Sequence, residues 1–99
     1  MRVQLTATAR KRYREIYDYF KSVGASKKGR RIRAQVNKNI LLRRDTPIMG
    51  QEEESLVELG QGHRYLVEEH YKIIYRIIDD VVYITDIFDT RQDSDKMKP

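Results

Sequence analysis

The chain has 99 residues, 39% of them hydrophobic and 35% charged, which fits one small domain with a thin core under a charged surface. It has no cysteine, and this excludes disulfides, thiolate chemistry and cysteine-bound zinc. Because no segment approaches the roughly 20 apolar residues of a membrane span, and no signal-peptide pattern is present, we expect a cytoplasmic protein that does not contact the membrane.

Charge is segregated along the chain. Residues 1–51 hold 14 Lys or Arg against 3 Asp or Glu, whereas residues 52–99 hold 6 against 12, so the halves stand at +11 and −6 within a net charge of +5. A basic half of this kind attracts a nucleic acid or an acidic protein segment. A solvated helix face without a partner would give the same pattern and stays an alternative.

The first predicted elements are a short strand and a helix. Val3–Thr6 alternates apolar with polar residues, which is typical of a strand. The apolar stripe of the following helix consists of Ala9, Tyr13, Ile16, Tyr17 and Phe20. Thr6 or Thr8 can cap this helix and Gly24 can end it.

A second helix is predicted from Ser26, as its cap, to about Arg44. Its apolar residues recur every fourth position at Ile32, Val36 and Ile40. Its other faces carry basic residues and no acidic one: Lys27, Lys28, Arg30, Arg31, Arg33, Lys38, Arg43 and Arg44. Such like charges repel one another, which favours an anionic partner, and Arg30 and Arg33 are candidate binding residues. The short turn at Gly24 makes the two helices a hairpin.

Strands are predicted for the remaining chain. Pro47 ends the second helix, and Glu52–Glu54 is expected to be an exposed acidic loop. The strand pattern then covers Leu56–Leu59, Arg64–Val67, Tyr71–Ile78 and Val81–Phe88. Turn residues separate these segments, so they form an antiparallel meander beside the N-terminal strand. The fold class is therefore α+β in the order β-α-α-β-β-β-β.

The longest predicted strand assigns residues to two faces of the sheet. Tyr71, Ile73, Tyr75 and Ile77 point one way, and we expect the helical hairpin to cover that face. Lys72 and Arg76 point the other way, onto a face that we expect to be open.

In their order and spacing, these elements and residues resemble the RelE/ParE superfamily of type II toxins, also known as plasmid stabilisation proteins. The resemblance covers nearly the whole chain. It rests on Tyr19-Phe20, Thr46-Pro47 to Gly50, Gly62 to Val67, Tyr71 to Ile77, Asp79-Asp80, Val82 to Ile84 and Ile87 to Gln92. The segment Tyr71 to Arg76 is the most specific, because family members carry Tyr-Arg, two apolar residues and Tyr there. The resemblance implies a single RelE/ParE-like domain over 1–99, in which residues from about 92 to 99 form a flexible tail.

The resemblance also implies partners. A cognate antitoxin would wrap the surface of such a toxin, which could be a homodimer or part of a toxin–antitoxin heterotetramer. ParE-like members act by binding DNA gyrase and need no chemistry of their own. RelE-like members are ribosome-dependent endonucleases of messenger RNA, also called mRNA interferases. Neither branch requires a cofactor or a metal.

The endonuclease residues carry over only in part. Lys72 and Arg91 match basic family positions, whereas His63 and Tyr65 lie where RelE-like enzymes can have lysines. If the chain is RelE-like, His63 is the candidate base, with Lys72, Arg76 and Arg91 as stabilisers of the transition state. Asp89 lies where many relatives have His and places negative charge near the phosphate, which argues against this chemistry. The tail also lacks the late tyrosine that some of these RNases use.

The candidate binding surface on the sheet consists of Arg64, Tyr65, Lys72, Arg76 and Arg91. Exposed strand charges paired with Glu68, Glu69 or Asp86 would explain the same residues without a partner. Three functions follow in order of preference: a ParE-like toxin that binds a protein target, a RelE-like endonuclease, and a nucleic-acid-binding domain without toxicity.

Overall fold

In chain order, two helices follow the first strand, and four further strands follow the helices. The computed structural model describes residues 1–99, with β1 (Arg2–Leu5), α1 (Ala7–Ser22), α2 (Ser26–Leu42), β2 (Gln51–Glu52), β3 (Arg64–Glu68), β4 (Tyr71–Ile78) and β5 (Val81–Asp89). Two 3₁₀ helices follow β2 and β5, at Glu54–Leu59 and Ser94–Lys96. The predicted α+β class and the order β-α-α-β-β-β-β are confirmed.

The five strands form one sheet in the order β1-β5-β4-β3-β2. β1 pairs with β5 in parallel, and the other pairs are antiparallel. Two-residue turns join β3 to β4 and β4 to β5, and each begins with a residue of positive φ, Glu69 and Asp79. The predicted meander is therefore present, with the N-terminal strand at its β5 edge.

The strand predicted at Leu56–Leu59 is wrong, because these residues belong to the first 3₁₀ helix. A carboxylate oxygen of Glu53 accepts the backbone N–H of Ser55 and caps this helix, and Gly60 ends it in the left-handed conformation. Only Leu56 in the segment is buried. Four strands still follow the helices, because β2 lies where an exposed acidic loop was expected.

The two helices pack as the predicted hairpin. Thr6 caps α1, since its hydroxyl oxygen accepts the backbone N–H of Ala9 at 3.2 Å. The predicted cap of α2 is wrong, because Ser26 is its first helical residue and no side chain caps it. A Cβ added at Gly29 would lie 2.8 Å from Cβ of Phe20, so glycine permits the close approach of the helices.

The main core lies between the hairpin and the sheet. Its buried residues are Ala9, Ile16, Ile32, Val36, Ile40, Tyr71, Ile73, Tyr75, Val82, Ile84 and Ile87. The apolar face that was predicted for β4 is thus confirmed. Neither α1 nor α2 has the length and apolar character needed to cross a membrane.

The opposite face of the sheet is only partly open, which corrects the expectation. A second buried cluster on that face joins Ile74 and Phe88 to Leu56 of the first 3₁₀ helix and Met97 of the tail. The backbone N–H of Lys98 also donates to Asp86 at 2.9 Å. The segment from about 92 to 99 therefore packs on the sheet, and its flexibility stays a prediction.

Candidate functional site

The part of this face that stays accessible centres on Lys72 of β4. Its ammonium group lies 2.9 Å from Oε2 of Glu53, in the connection from β2 to the first 3₁₀ helix. The Lys72 side chain is 26% exposed, whereas the Glu53 side chain is only 2% exposed. The charge of Lys72 is therefore compensated within the protein.

Tyr65 completes the surroundings of Lys72. The two residues lie on neighbouring strands, and the Lys72 ammonium is 4.2 Å from the centre of the Tyr65 ring. The Tyr65 hydroxyl donates to Gln51 at 3.1 Å. The ammonium group is thus held between an aromatic face and a carboxylate.

A polar cleft of about 240 Å³ opens beside this ion pair. It is lined by Gln51, Glu52, Glu53, Glu54, Ser55, Tyr65 and Lys72. Three carboxylates and one ammonium group share the cleft, so its charge disfavours a phosphate group.

His63 and Arg76 lie next to the same connection. The His63 ring is 2% exposed, and neither ring nitrogen has a hydrogen-bond partner. Burial lowers the pKa of His63 below its usual value, and the charge of Arg76 lowers it further, while Glu53 partly opposes both. The Arg76 guanidinium donates to Gln61 at 2.8 Å. His63 is neutral near pH 7 and enclosed, so its nitrogens are out of reach of a substrate in this arrangement.

Arg64 contacts backbone carbonyl groups and does not lie on the open face of the sheet. Its guanidinium donates to the carbonyl oxygen of Gly50 at 2.9 Å and to that of Ile48 at 3.4 Å. Its register partner is Tyr75, a core residue, so it lies on the face of the sheet that the helices cover. Arg64 therefore fixes the loop that precedes β2.

Arg91 is not brought together with Lys72 and Arg76, and this part of the expectation is wrong. Its guanidinium forms two hydrogen bonds to Asp89, at 3.0 and 2.8 Å, and lies 5.9 Å from the Tyr19 ring of α1. Asp89 pairs in register with Tyr71, so both lie on the helix-covered face. The hydrogen bonds from Arg91 hold the pKa of Asp89 below its usual value, although burial opposes this shift.

The remaining candidates, Arg30 and Arg33, lie on the hairpin. The Arg33 guanidinium covers the ring of Tyr13 at 4.5 Å, and Arg30 is exposed beside it. These two residues form a second basic surface that is separate from Lys72.

Sequence reasoning missed Glu53. A run of three glutamates normally lies in solvent, and nothing in the sequence marks the middle one as buried.

The assembled groups offer no complete catalytic set. The single base candidate is enclosed, and the nearest ammonium group is paired with a carboxylate. No group of three or more His, Asp or Glu side chains is placed to hold a metal ion.

Comparisons with known proteins agree with this fold. The family model described as the ParE toxin of the type II toxin-antitoxin system, parDE, matches residues 3–94. Among solved structures, one described as a chromosomal ParDE TA system from P. aeruginosa superposes with a TM-score of 0.73 at 19% sequence identity. The match covers 88% of this chain and 92% of that chain. No curated protein gave a significant match to the sequence.

Proposed function

We propose, from the premise that this chain belongs to the ParE toxin family of type II toxin–antitoxin systems, that it stops growth by binding DNA gyrase and cuts no RNA. Membership makes the chain the toxin component of such a system. The gyrase target and neutralisation by a cognate antitoxin are the proposed parts.

The cleft beside Lys72 carries this proposal. RNA cleavage without a metal needs a base within reach of the 2′-hydroxyl and cations at the scissile phosphate. Here Glu52, Glu53 and Glu54 share the cleft with Lys72, and Glu53 pairs with its ammonium group. A phosphodiester entering the cleft would meet net negative charge, which supports an action by binding.

The positions of His63 and Arg91 support the same conclusion. His63 is buried without a hydrogen-bond partner, so its side chain would have to become exposed before it could accept a proton from a substrate. Arg91 is bound to Asp89 at the end of β5, on the helix-covered face. An endonuclease would need both residues beside Lys72, and an mRNA interferase is therefore the second choice.

We also propose that a cognate antitoxin covers the end of α2 and the loop that follows it. Four exposed apolar side chains lie within nine residues there: Leu41, Leu42, Ile48 and Met49. Ile48 and Met49 are each 69% exposed, and exposed Arg44 lies between the two pairs in the sequence. Apolar residues beside a basic one favour an amphipathic segment that carries acidic side chains.

Induced expression tests the target. In the proposed mode, DNA breaks and the damage response appear before protein synthesis declines, and a gyrase subunit co-purifies with the chain. The double variant Glu53→Gln/Lys72→Gln removes the ammonium group without leaving an unpaired buried carboxylate. It should stay toxic, as should the surface variant Lys96→Gln. Early arrest of translation with cut messages, lost in the double variant alone, would establish the endonuclease instead.

A further inference from the structure

The helical hairpin has a groove between α1 and α2 that the sheet does not cover. The groove is shallow, has a volume of about 320 Å³, and is lined by Tyr13, Arg30, Arg33 and Ala34. Neither the toxin action nor the antitoxin surface proposed above uses these residues. The groove therefore needs its own explanation.

Arg33 is held in the groove by aromatic contacts instead of an acidic partner. Its guanidinium carbon lies 4.5 Å from the centre of the Tyr13 ring and 5.8 Å from that of Tyr17. Its Nε is buried and donates to nothing. A guanidinium that is already oriented and carries an unused donor loses little freedom when it binds an anion.

Basic side chains extend along both sides of the groove. On α1, Arg10 and Arg14 precede Tyr17 by seven and three residues, and Lys21 follows it by four, so helical spacing places all three on the Tyr17 side. On α2, Arg30 lies one turn before Arg33. None of these five basic residues takes part in an ion pair. On α1, Glu15 and Asp18 lie among these basic residues but form an ion pair with none of the five, and the sequence from 19 to 44 contains no acidic residue.

We propose that this groove binds the phosphate backbone of double-stranded DNA. Guanidinium groups match the geometry of phosphate oxygens and can donate two hydrogen bonds at once. The distance along α1 from Arg10 to Lys21 is ~16 Å, which corresponds to about five base pairs of a duplex. This binding depends on the charge and shape of the DNA backbone and does not distinguish between base sequences.

The exposed groups of the groove distinguish DNA from other polyanions. An acidic peptide would need apolar contacts, and besides the Tyr13 ring, which the Arg33 guanidinium covers, the groove offers only Ala34. A single strand would stack its bases on free aromatic faces, but the Arg33 guanidinium already covers the Tyr13 ring. A duplex backbone requires neither contact.

Fluorescence anisotropy with the full chain and a labelled 20-base-pair duplex of arbitrary sequence tests the proposal at salt concentrations from 50 to 200 mM. We expect the variant Arg30→Gln/Arg33→Gln to bind about tenfold more weakly and to reduce the slope of log affinity against log salt by about two. The variant Arg14→Gln/Arg30→Gln should behave alike. It changes only exposed side chains, so it keeps the test valid if loss of the Arg33 stacking unfolds the protein.

The matched control is Lys96→Gln/Lys98→Gln, which removes two positive charges from the C-terminal segment. It should change the affinity less than twofold. Equal weakening by this control would show that net charge alone drives binding and would overturn the groove. Tighter binding of an RNA duplex, or displacement of the DNA by polyglutamate at equal charge concentration, would overturn the choice of DNA. Failure to bind the duplex at 50 mM salt would reject the proposal outright.

Discussion

The ammonium group of Lys72 lies 2.9 Å from a carboxylate oxygen of Glu53, and the two partners differ sharply in their access to water. The Glu53 carboxylate is enclosed, whereas the ammonium group is partly exposed and can be hydrated if it loses its partner. Removal of the basic partner should therefore cost more stability than neutralisation of the acidic one.

This asymmetry gives the first prediction. Lys72→Ala should lower the free energy of unfolding by about 2–4 kcal/mol, because it leaves a buried carboxylate unpaired. Glu53→Gln should lower it by about 1 kcal/mol, since the amide oxygen can still accept the backbone N–H of Ser55. Urea titrations at pH 7 measure both values. Equal losses, or a larger loss in Glu53→Gln, would mean that the carboxylate is hydrated in solution.

The buried His63 ring predicts a loss of stability in mild acid. Burial and the Arg76 charge lower the pKa of His63 in the folded state below the value of about 6.5 that it has when unfolded. The unfolded chain therefore binds the proton more readily as the pH falls below this value, and the free energy of unfolding declines until the folded pKa is reached.

Urea titrations at pH 7.5 and pH 5 measure this effect. The decline between the two pH values should be smaller in His63→Gln than in the unchanged protein. His70→Gln is the control, because His70 is exposed. An identical decline in all three proteins would contradict enclosure of the His63 ring.

Sequence patterns predicted the elements that have a regular period. The apolar stripes of α1 and α2 and the alternation in β4 follow directly from burial on one face, and the structure confirms them except at Tyr17, which lies outside the core cluster. Leu56–Leu59 was assigned wrongly because four residues are too few to separate a strand from a 3₁₀ helix. Its conformation depends on the Glu53 cap, a contact that the sequence does not reveal.

The site was harder to predict because of an irregularity in β5. Ile74 pairs with Asp86 and Tyr75 with Ile84, which leaves Thr85 as an extra residue in β5. Such a bulge exchanges the two faces of the strand for all later residues. Asp89 therefore lies on the helix-covered face. Arg91, which is bound to Asp89, is consequently on the side of the sheet that faces away from Lys72. No residue type near Thr85 signals the bulge.

The contact between the helices gives a third prediction. Gly29→Ala should destabilise the protein by about 1–3 kcal/mol, because the new methyl group would meet Cβ of Phe20 at 2.8 Å. Helix propensity alone predicts the opposite, a gain of about 1 kcal/mol. Thermal unfolding measures the sign directly. Ala34→Gly on the exposed side of α2 is the control and should cost only the propensity difference.

A fourth prediction concerns the main core. Ile16→Ala and Ile73→Ala should each cost about 2–5 kcal/mol, since both side chains are buried between the hairpin and the sheet. Ile48→Ala should cost less than about 0.5 kcal/mol, because its side chain is mostly exposed. Denaturant titrations provide the comparison. Similar stabilities of all three variants would show that the packing differs in solution.

The last prediction separates capture by the antitoxin from toxicity. If the antitoxin covers the loop after α2, then Ile48→Ser/Met49→Ser removes two apolar side chains from the interface while the core stays intact. Each lost contact should cost about 1–2 kcal/mol of binding energy, so the affinity should fall by about 30- to 1000-fold. Calorimetry with the purified antitoxin measures this loss, and in cells the variant should need more antitoxin to restore growth. The matched control is Val57→Ser/Val67→Ser, which alters exposed apolar residues of the first 3₁₀ helix and β3. If the control weakens binding as much as the loop variant does, the antitoxin is not confined to the loop and also covers the sheet face around Lys72, where it would shield the cleft.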